Sequence, residues 1–199
     1  MRILALPLAL VAFHGSVQPV PAPVRAQLVH VRQYHRGCPV AMSRLRLLSV
    51  TYVDFRGRAQ TGRLVVNASA AWPLYRVFRR LYRIGFRIRR IQPIAPTGDD
   101  TAAFDCRDAA PSPCPGTPPT HSWSMHAFGL AVDVNPSENP YTGCGVTRDP
   151  AARRYLDRSR TLRGMVTRRV VAAFASIGWG WGGSWAGTQD YMHFSANGH

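Results

Sequence analysis

The segment from residue 45 to residue 85 constrains the fold most, because its patterning changes from strand-like to helix-like partway along. Residues 45–55 and 62–67 are rich in β-branched and other apolar side chains, and Arg56-Gly57-Arg58 separates the two runs. Two such runs around a short turn predict a β-hairpin. Apolar side chains then recur at the spacing of a helix, at Trp72, Leu74, Val77, Phe78, Leu81 and Tyr82. This pattern predicts a helix that ends at Gly85.

The start of that helix and the remaining elements complete the predicted fold class. Ser69 is the predicted N-cap, and Pro73 fits the first turn. The other predicted elements are strands over 86–94, 128–135 and 191–195 and a helix over 165–177. Proline- and glycine-containing loops over 95–121 and 136–150 connect them. These elements predict one α+β domain with two main helices packed on a mostly antiparallel sheet.

The first 26 residues have the layout of a secretory signal peptide. An apolar run from Ile3 to Phe13 follows Met1-Arg2, and a proline-rich stretch then ends in Ala26. The run is shorter than the roughly 20 residues that a membrane-spanning helix needs. We therefore expect cleavage near Ala26, a linker over 27–43 and a folded domain over 44–199, secreted or associated with the cell envelope. A segment retained as an N-terminal anchor is the alternative.

The cysteines predict disulfides in an exported chain. They are Cys38, Cys106, Cys114 and Cys144, and no two of them form a CxxC pair. A zinc site built from thiolates is therefore not expected. Oxidising compartments preserve disulfides, which suits four cysteines outside the cytoplasm. Four cysteines allow three pairings, and their spacing does not choose among them.

The charge is strongly positive and is carried entirely by arginine. There are 25 basic and 10 acidic residues, which gives a formal net charge of +15. Such a charge favours anionic surroundings, for example an acidic cell-wall polymer. The densest stretch contains Arg76, Arg79, Arg80 and Arg83 between apolar residues. This pattern is typical of a helix with a solvated arginine face rather than of a nucleic-acid site. We expect a monomer that binds no nucleic acid and does not insert stably into a membrane.

The first motif with a possible chemical role runs from Ser122 to Asp133. If the residues after Gly129 form a strand, the apolar residues 130, 132 and 134 face the core and Asp133 faces the other way. Gly129 and Ala131 share the face of Asp133 and have almost no side chain, so open space is expected beside the carboxylate. His126 precedes Asp133 by seven residues. A bend at or before Gly129 would let the two side chains converge.

The second motif is Asp190-Tyr191-Met192-His193-Phe194. In a strand over 191–195, His193 points away from Met192 and Phe194, and Asp190 lies near it at the entrance of the strand. A lone histidine is more often an ordinary core or surface residue. Together, the two motifs supply two histidines and a carboxylate for a catalytic zinc ion, and a second carboxylate as a base for water. The predicted ligands are His126, Asp133 and His193, and the predicted base is Asp190.

These motifs resemble those of the D-alanyl-D-alanine carboxypeptidase family of zinc peptidases, VanY-like. The resemblance is carried by Ser124-x-His126-x-x-Gly129-x-Ala131-x-Asp133, Trp181-Gly182-Gly183-x-Trp185 and Asp190-x-x-His193-Phe194. Upstream it includes Gly37-Cys38-Pro39-Val40 and residues 99–107, so that it covers residues 37–196. The family shares its metal-site architecture with lysostaphin-type endopeptidases and the hedgehog signalling domain. The resemblance therefore implies a hedgehog/D-Ala-D-Ala peptidase-like α+β fold, with 44–199 as the zinc peptidase domain.

The resemblance also implies roles for individual residues. His126, Asp133 and His193 are the implied zinc ligands. Asp190 is the implied base where many members have glutamate, as in the L-alanyl-D-glutamate endopeptidase branch. Arg107 matches an arginine that holds the substrate or stabilises the oxyanion.

Several further residues can also be interpreted, most of them from the same resemblance. Ser124 is similar to a family serine that would contact either the substrate carboxylate or a metal-ligand residue. Asp105 stands at a position where asparagine is expected in the family. The shared motifs favour pairing Cys38 with Cys106 and, by remainder, Cys114 with Cys144. For the tryptophans Trp179, Trp181 and Trp185, core packing is favoured over a substrate groove.

The implied activity is hydrolysis of a peptide bond in peptidoglycan stem peptides, with Zn²⁺ as cofactor. D-alanyl-D-alanine carboxypeptidase activity is the first expectation, and an L-alanyl-D-glutamate-type endopeptidase is the alternative. A catalytically silent, zinc-stabilised wall-binding module is a further alternative. Anionic cell-wall polymers are the expected partners of the positive charge.

Overall fold

The computed structural model describes residues 12–94, 98–114, 116, 118, 121–147 and 149–199. Within these residues the chain forms three α-helices and nine strands, which make three sheets of three strands each. Every strand pair in these sheets is antiparallel. The predicted α+β class is confirmed. None of the helices in this part of the chain has the length and apolarity needed to cross a membrane.

The first sheet contains the predicted hairpin. Its strands are β1 (Gly15–Pro19), β2 (Leu45–Val53) and β3 (Ala59–Asn67), in the order β1-β2-β3. Leu48 of β2 lies opposite Leu64 of β3, and both are fully buried. Asp54 holds the turn between β2 and β3, because its Oδ1 accepts hydrogen bonds from the backbone N–H groups of Arg56 and Arg58, at 2.9 and 2.8 Å.

The predicted helix follows the hairpin directly. Helices α1 and α2 span Ala22–His30 and Ala68–Arg83. The buried face of α2 consists of Ala70, Ala71, Leu74, Val77, Phe78 and Leu81. Asn67 caps α2, since its side chain accepts a hydrogen bond from the N–H of Ser69 at 3.1 Å. The predicted Ser69 cap is therefore wrong. Because the helix starts earlier than predicted, Pro73 lies in its interior and not in its first turn.

The residues before the hairpin pack onto the fold. Val20 and Leu28, from the segment that contains α1, are buried in a cluster with Leu47 of β2 and with Phe104. The first residues of the expected linker over 27–43 form the C-terminal part of α1 and not a linker.

The expected leader falls only partly within the described residues. Residues 1–11, which include most of the apolar run of that leader, lie outside them. The expected cleavage point near Ala26 lies within α1. Cleavage itself stays a prediction.

Two smaller sheets organise the C-terminal half. Its strands are β4 (Ala131–Asp133), β5 (Tyr141–Gly143), β6 (Val146–Thr147), β7 (Gly180–Trp181), β8 (Gln189–Asp190) and β9 (His193–Ser195). One sheet has the order β4-β9-β7 and the other the order β6-β5-β8. Helix α3 (Arg168–Ala175) contacts α2. Phe174 of α3 stacks on Phe194 of β9 with ring centroids 3.9 Å apart, which joins this half to the main core.

The predicted strand over 86–94 is wrong. Ile88, Ile91 and Ile94 are the buried residues of this segment, a spacing of three, whereas a half-buried strand buries every second residue. The segment makes only isolated bridges, from Arg87 to Val53 and from Ile91 to Thr101. The alternation of apolar and basic residues was therefore misleading, because Arg89 and Arg90 pair with acidic residues outside the segment.

Three other elements are shorter than predicted. The strand over 128–135 is reduced to β4, because residues 125–128 form a 3-10 turn. The helix over 165–177 is reduced to α3, and the strand over 191–195 to β9. The loop over 136–150 contains β5 and β6.

Both favoured disulfides are present. Cys38 is bonded to Cys106 and Cys114 to Cys144, with Cα atoms 5.7 and 5.4 Å apart. The first bond fastens the residue next to Arg107 to the segment that precedes β2. It therefore restrains the backbone that carries this arginine.

Candidate metal centre

The structure brings His126, Asp133 and His193 together in one cluster. Nε2 of His126 lies 3.2 Å from Nδ1 of His193 and 3.1 Å from Oδ1 of Asp133, and the last two atoms are 3.2 Å apart. Both histidines are buried. Three potential ligand atoms thus form a nearly equilateral triangle.

A short turn that ends at a left-handed glycine places His126 beside Asp133. The 3-10 turn Met125–Phe128 ends at Gly129, whose φ of 66° is a conformation that favours glycine. The chain then enters β4 and reaches Asp133. The bend expected at or before Gly129 is confirmed. His193 arrives from β9, which pairs with β4 so that His193 lies directly opposite Asp133.

Open space does lie beside the Asp133 carboxylate, as expected, but it does not lie over Gly129 and Ala131. A Cβ atom at Gly129 would lie 2.7 Å from the backbone nitrogen of Asn67, so this glycine packs against the end of β3. Ala131 is fully buried. The small residues therefore allow close packing of the turn, and the space near the cluster lies elsewhere.

Two cavities meet at the cluster, and both are lined by Arg107, His126 and Asp133. The larger, of about 600 Å³, is lined also by Gln33, Phe104, Asp105, Pro136 and Met192, among others. The smaller, of about 250 Å³, is lined also by Ser122, Trp123, Tyr141, Trp185, Asp190 and His193, among others. An elongated ligand bound at the cluster can extend into either cavity.

The hydrogen bonding of His126 orients its ring towards the cluster. Its Nδ1 contacts the backbone carbonyl of Ala103, which can only accept a hydrogen bond, so Nδ1 carries the proton. The lone pair of Nε2 then points at Asp133 and His193. At metal sites, a ligand histidine commonly donates its other ring N–H to a backbone carbonyl, and this hydrogen bond fixes the tautomer. Ala103 was not predicted, because a backbone acceptor leaves no signal in the sequence.

The charge state of the cluster suits a cation. Burial opposes ionisation of Asp133, but the imidazoles of His126 and His193 outweigh it and hold the pKa of this carboxyl well below its usual range. An ionised carboxylate oxygen and two imidazole nitrogens are a donor set of catalytic zinc sites. Ligands at about 2.0–2.1 Å in a tetrahedral site lie roughly 3.3 Å from one another. The triangle of 3.1–3.2 Å fits that spacing.

Asp190 is half-buried and lines the smaller cavity together with His126, Asp133 and His193. Burial raises its pKa to about 7, with the Asp133 carboxylate adding to the rise and His193 and Arg107 opposing it. Within the described part of the chain, its Oδ1 is buried and has no hydrogen-bond partner. A carboxyl group with such a pKa can accept and return a proton near neutral pH.

Arg107 lies at the mouth of the cluster and is partly exposed. Its Nε donates to Oδ2 of Asp105 at 3.0 Å, and its Nη1 donates to the carbonyl of Asp108 at 3.0 Å. These contacts fix the guanidinium where both cavities meet. The pairing also explains what the aspartate at position 105 does: it anchors Arg107. The sequence had left its role open.

Ser124 and Trp185 support the cluster from nearby. The side chain of Ser124 accepts a hydrogen bond from the N–H of His126 at 3.2 Å and so caps the turn that carries this histidine. The ring of Trp185 lies 5.5 Å from that of His193. Trp179 and Trp181 instead pack with the main core, as favoured for these tryptophans.

The comparisons with known proteins bear on the C-terminal half. Residues 118–196 match the sequence model of a family described as D-alanyl-D-alanine carboxypeptidase. The resemblance to that family is confirmed. The matched segment contains His126, Asp133, Asp190 and His193, whereas Arg107 lies outside it. No match was found among curated proteins or among solved structures. This match, over less than half of the chain, supports a peptidase of this family type.

Proposed function

We propose that the chain is a zinc-dependent peptidase that hydrolyses peptide bonds in peptidoglycan stem peptides, as a D-alanyl-D-alanine carboxypeptidase. The observation that carries the proposal is the triangle of two imidazole nitrogens and one carboxylate oxygen beside the half-buried Asp190. The family match supports the reaction type. Two disulfides suit a protein that works in an oxidising compartment outside the cytoplasm.

His126, Asp133 and His193 would hold the zinc ion. When bound, zinc supplies a Lewis acid beside the scissile carbonyl and makes a nearby water molecule more acidic. Asp190 accepts a proton from the attacking water. The same carboxyl group then returns that proton to the leaving amine. The pKa of about 7 that burial gives Asp190 suits both transfers.

Arg107 would stabilise the negative charge that develops on the carbonyl oxygen. A fixed cation is most effective when it is already in place before the reaction. Its hydrogen bonds to Asp105 and to the Asp108 carbonyl hold it in place. Ser124 acts, in this proposal, by holding the His126 turn rather than by contacting the substrate.

The cavities favour a second candidate, an endopeptidase that cuts inside the stem peptide. A carboxypeptidase needs room for a single residue beyond the scissile bond, whereas an endopeptidase must hold peptide on both sides. Two cavities of about 600 and 250 Å³ share the residues of the cluster. This arrangement accommodates an extended chain.

The decisive experiment is digestion of defined muropeptides with zinc-loaded protein, analysed by mass spectrometry, with a chelated sample as control. Release of free D-alanine from a pentapeptide stem is the expected result. Internal cleavage of the stem would replace the carboxypeptidase assignment with the endopeptidase. Absence of any cleavage by protein that demonstrably contains zinc would overturn both and leave a binding module.

A further inference from the structure

The exposed face of α2 carries a row of arginines. Trp72, Arg76, Arg79 and Arg83 are all exposed. At 100° per residue they lie within about 60° of one another around the helix axis, and at 1.5 Å per residue they extend over roughly 16 Å. We call these four residues the α2 row.

In the part of the chain that the structure describes, the charges of the row have no acidic partners. No ion pair to Arg76, Arg79 or Arg83 occurs among the described residues. None of the 10 acidic residues of the chain lies in α2 or in α3, the helix that packs against it. Acidic partners are present for some arginines elsewhere in the described residues, namely Arg58, Arg89, Arg90, Arg107 and Arg160.

Such a row is unfavourable for an isolated helix. Like charges three or four residues apart repel, and Arg76 has Arg79 and Arg80 at those spacings. The helix dipole favours cations in the last turn, which accounts for Arg80 and Arg83 and leaves Arg76 and Arg79 unexplained. The side chain of Arg80 turns aside to donate to the carbonyl of Ala172 in α3 at 3.4 Å. An anion along the row would remove the repulsion.

The exposed side chain of Trp72 forms the N-terminal end of the row. Trp72 is 56% exposed, and its ring lies 5.4 Å from that of Tyr75. Exposed aromatic rings pack well against the apolar faces of sugars and polyols. Arginine forks match the oxygens of phosphate groups. The combination suits a polymer that alternates phosphate with a carbohydrate or polyol unit.

We propose that the α2 row binds a phosphate-bearing polymer of the cell wall and so holds the enzyme against its substrate. The choice of a wall polymer over nucleic acid rests on the proposed function and on the two disulfides, whereas the anion-binding surface stands independently of them. Multiple phosphate contacts predict binding that weakens steeply with salt.

The test measures binding of the full chain to peptidoglycan sacculi that carry a polyol-phosphate polymer, and to the same sacculi after acid removal of that polymer. The Asp190→Asn variant is used as the background so that hydrolysis cannot alter the sacculi. Arg76→Gln/Arg79→Gln/Arg83→Gln is compared with Arg36→Gln/Arg44→Gln/Arg153→Gln, three exposed arginines outside α2. Both variants lose the same charge, and glutamine preserves helix propensity.

The expected result is that the α2 variant binds intact sacculi at least tenfold more weakly and that the slope of log affinity against log salt falls by about two to three. The control variant should stay within about twofold of the parent. Trp72→Ala should weaken binding without changing the salt slope. Circular dichroism checks that the helix content, and with it α2, is intact. Cleavage of soluble muropeptides is measured for the α2 variant with Asp190 present and should be unchanged. Cleavage reports only on the proposed function, so its failure is distinguishable from a failure of binding.

Several outcomes would overturn the proposal. Equal losses in the two triple variants would show that total charge, not the row, is responsible. Unchanged binding of the α2 variant, or equal binding to stripped sacculi, would remove the polymer as its ligand. Tighter binding of duplex DNA than of the free polymer, abolished in the α2 variant, would assign the row to nucleic acid instead.

Discussion

Asp133 and His193 face each other across the β4–β9 ladder, with Oδ1 of Asp133 3.2 Å from Nδ1 of His193. Paired residues on neighbouring antiparallel strands project to the same side of a sheet, so the ladder itself aligns these two side chains. His126 completes the cluster from the turn before β4. The site therefore depends on one strand pair and one turn, and each can be tested separately.

Replacing His193 with alanine should abolish zinc binding. Loss of one of the three proposed ligands would leave too few donors for a tightly held ion. Elemental analysis should show about one zinc per wild-type chain and almost none in the variant. His30→Ala, at an exposed position in α1, should keep its zinc. A His193→Ala protein with a full complement of zinc would place the metal elsewhere.

Replacing Asp190 with asparagine should leave zinc bound and reduce hydrolysis by a factor of about 10²–10⁴. The amide is similar in shape but cannot accept the proton of the attacking water. Turnover of a defined muropeptide and zinc content are measured on the same sample. Asp157→Asn, in an exposed loop, should behave like the wild type. If zinc were lost together with activity, Asp190 would have to be reassigned as a ligand.

Replacing Arg107 with alanine should lower turnover by a factor of about 10²–10³ without loss of zinc. In the proposed mechanism, the guanidinium faces the charge that forms during the reaction. Lysine at this position should recover only part of the rate, since it lacks the planar fork that Asp105 holds. Arg44→Ala serves as the control for a lost surface charge. Wild-type turnover in Arg107→Ala would contradict the assigned role.

Replacing Gly129 with alanine should destabilise the protein and weaken its zinc binding. Left-handed backbone costs a residue with Cβ about 1–2 kcal/mol, and the clash with the Asn67 nitrogen at 2.7 Å adds to this. Gly145 has a similar φ of 74°, but a Cβ there meets nothing within 4 Å. Urea denaturation should therefore show a larger loss for Gly129→Ala than for Gly145→Ala. Equal losses would mean that the close packing of the turn is unimportant.

Replacing Asp54 with asparagine should destabilise the hairpin in a pH-dependent way. Burial alone would raise the pKa of Asp54, but hydrogen bonds from Arg58 and Arg56 outweigh it and lower that pKa below its usual value. Stabilisation by a carboxyl group with a lowered pKa is full above its usual pKa and is lost as the pH falls through the folded-state value.

The difference in free energy of unfolding between wild type and Asp54→Asn should be about 1–2 kcal/mol at pH 7. It should shrink below the usual aspartate pKa of 3.8. Asp108→Asn, at an exposed position, gives the control. A difference that is constant from pH 7 to pH 3 would show that the charge of Asp54 does not matter.

Local patterning was enough to predict the hairpin and α2, because both are formed by neighbouring residues whose apolar side chains all face one core. The same reasoning failed over 86–94, where Arg89 and Arg90 pair with Glu138 and Asp100. Both partners lie outside the segment, Asp100 at 10 residues from Arg90 and Glu138 at 49 residues from Arg89. Periodicity within the segment could not reveal them.

For the site, the sequence by itself determined which side chains are available: two histidines and two aspartates in motifs that resemble one family. It also determined that a bend must occur near Gly129 if His126 and Asp133 are to meet. Only the tertiary structure decided that the space beside the cluster lies in two cavities and not next to Gly129, that the Ala103 carbonyl orients His126, and that Asp105 anchors Arg107. The physical reason is that these features depend on backbone atoms and long-range packing, which residue types and their spacing do not encode.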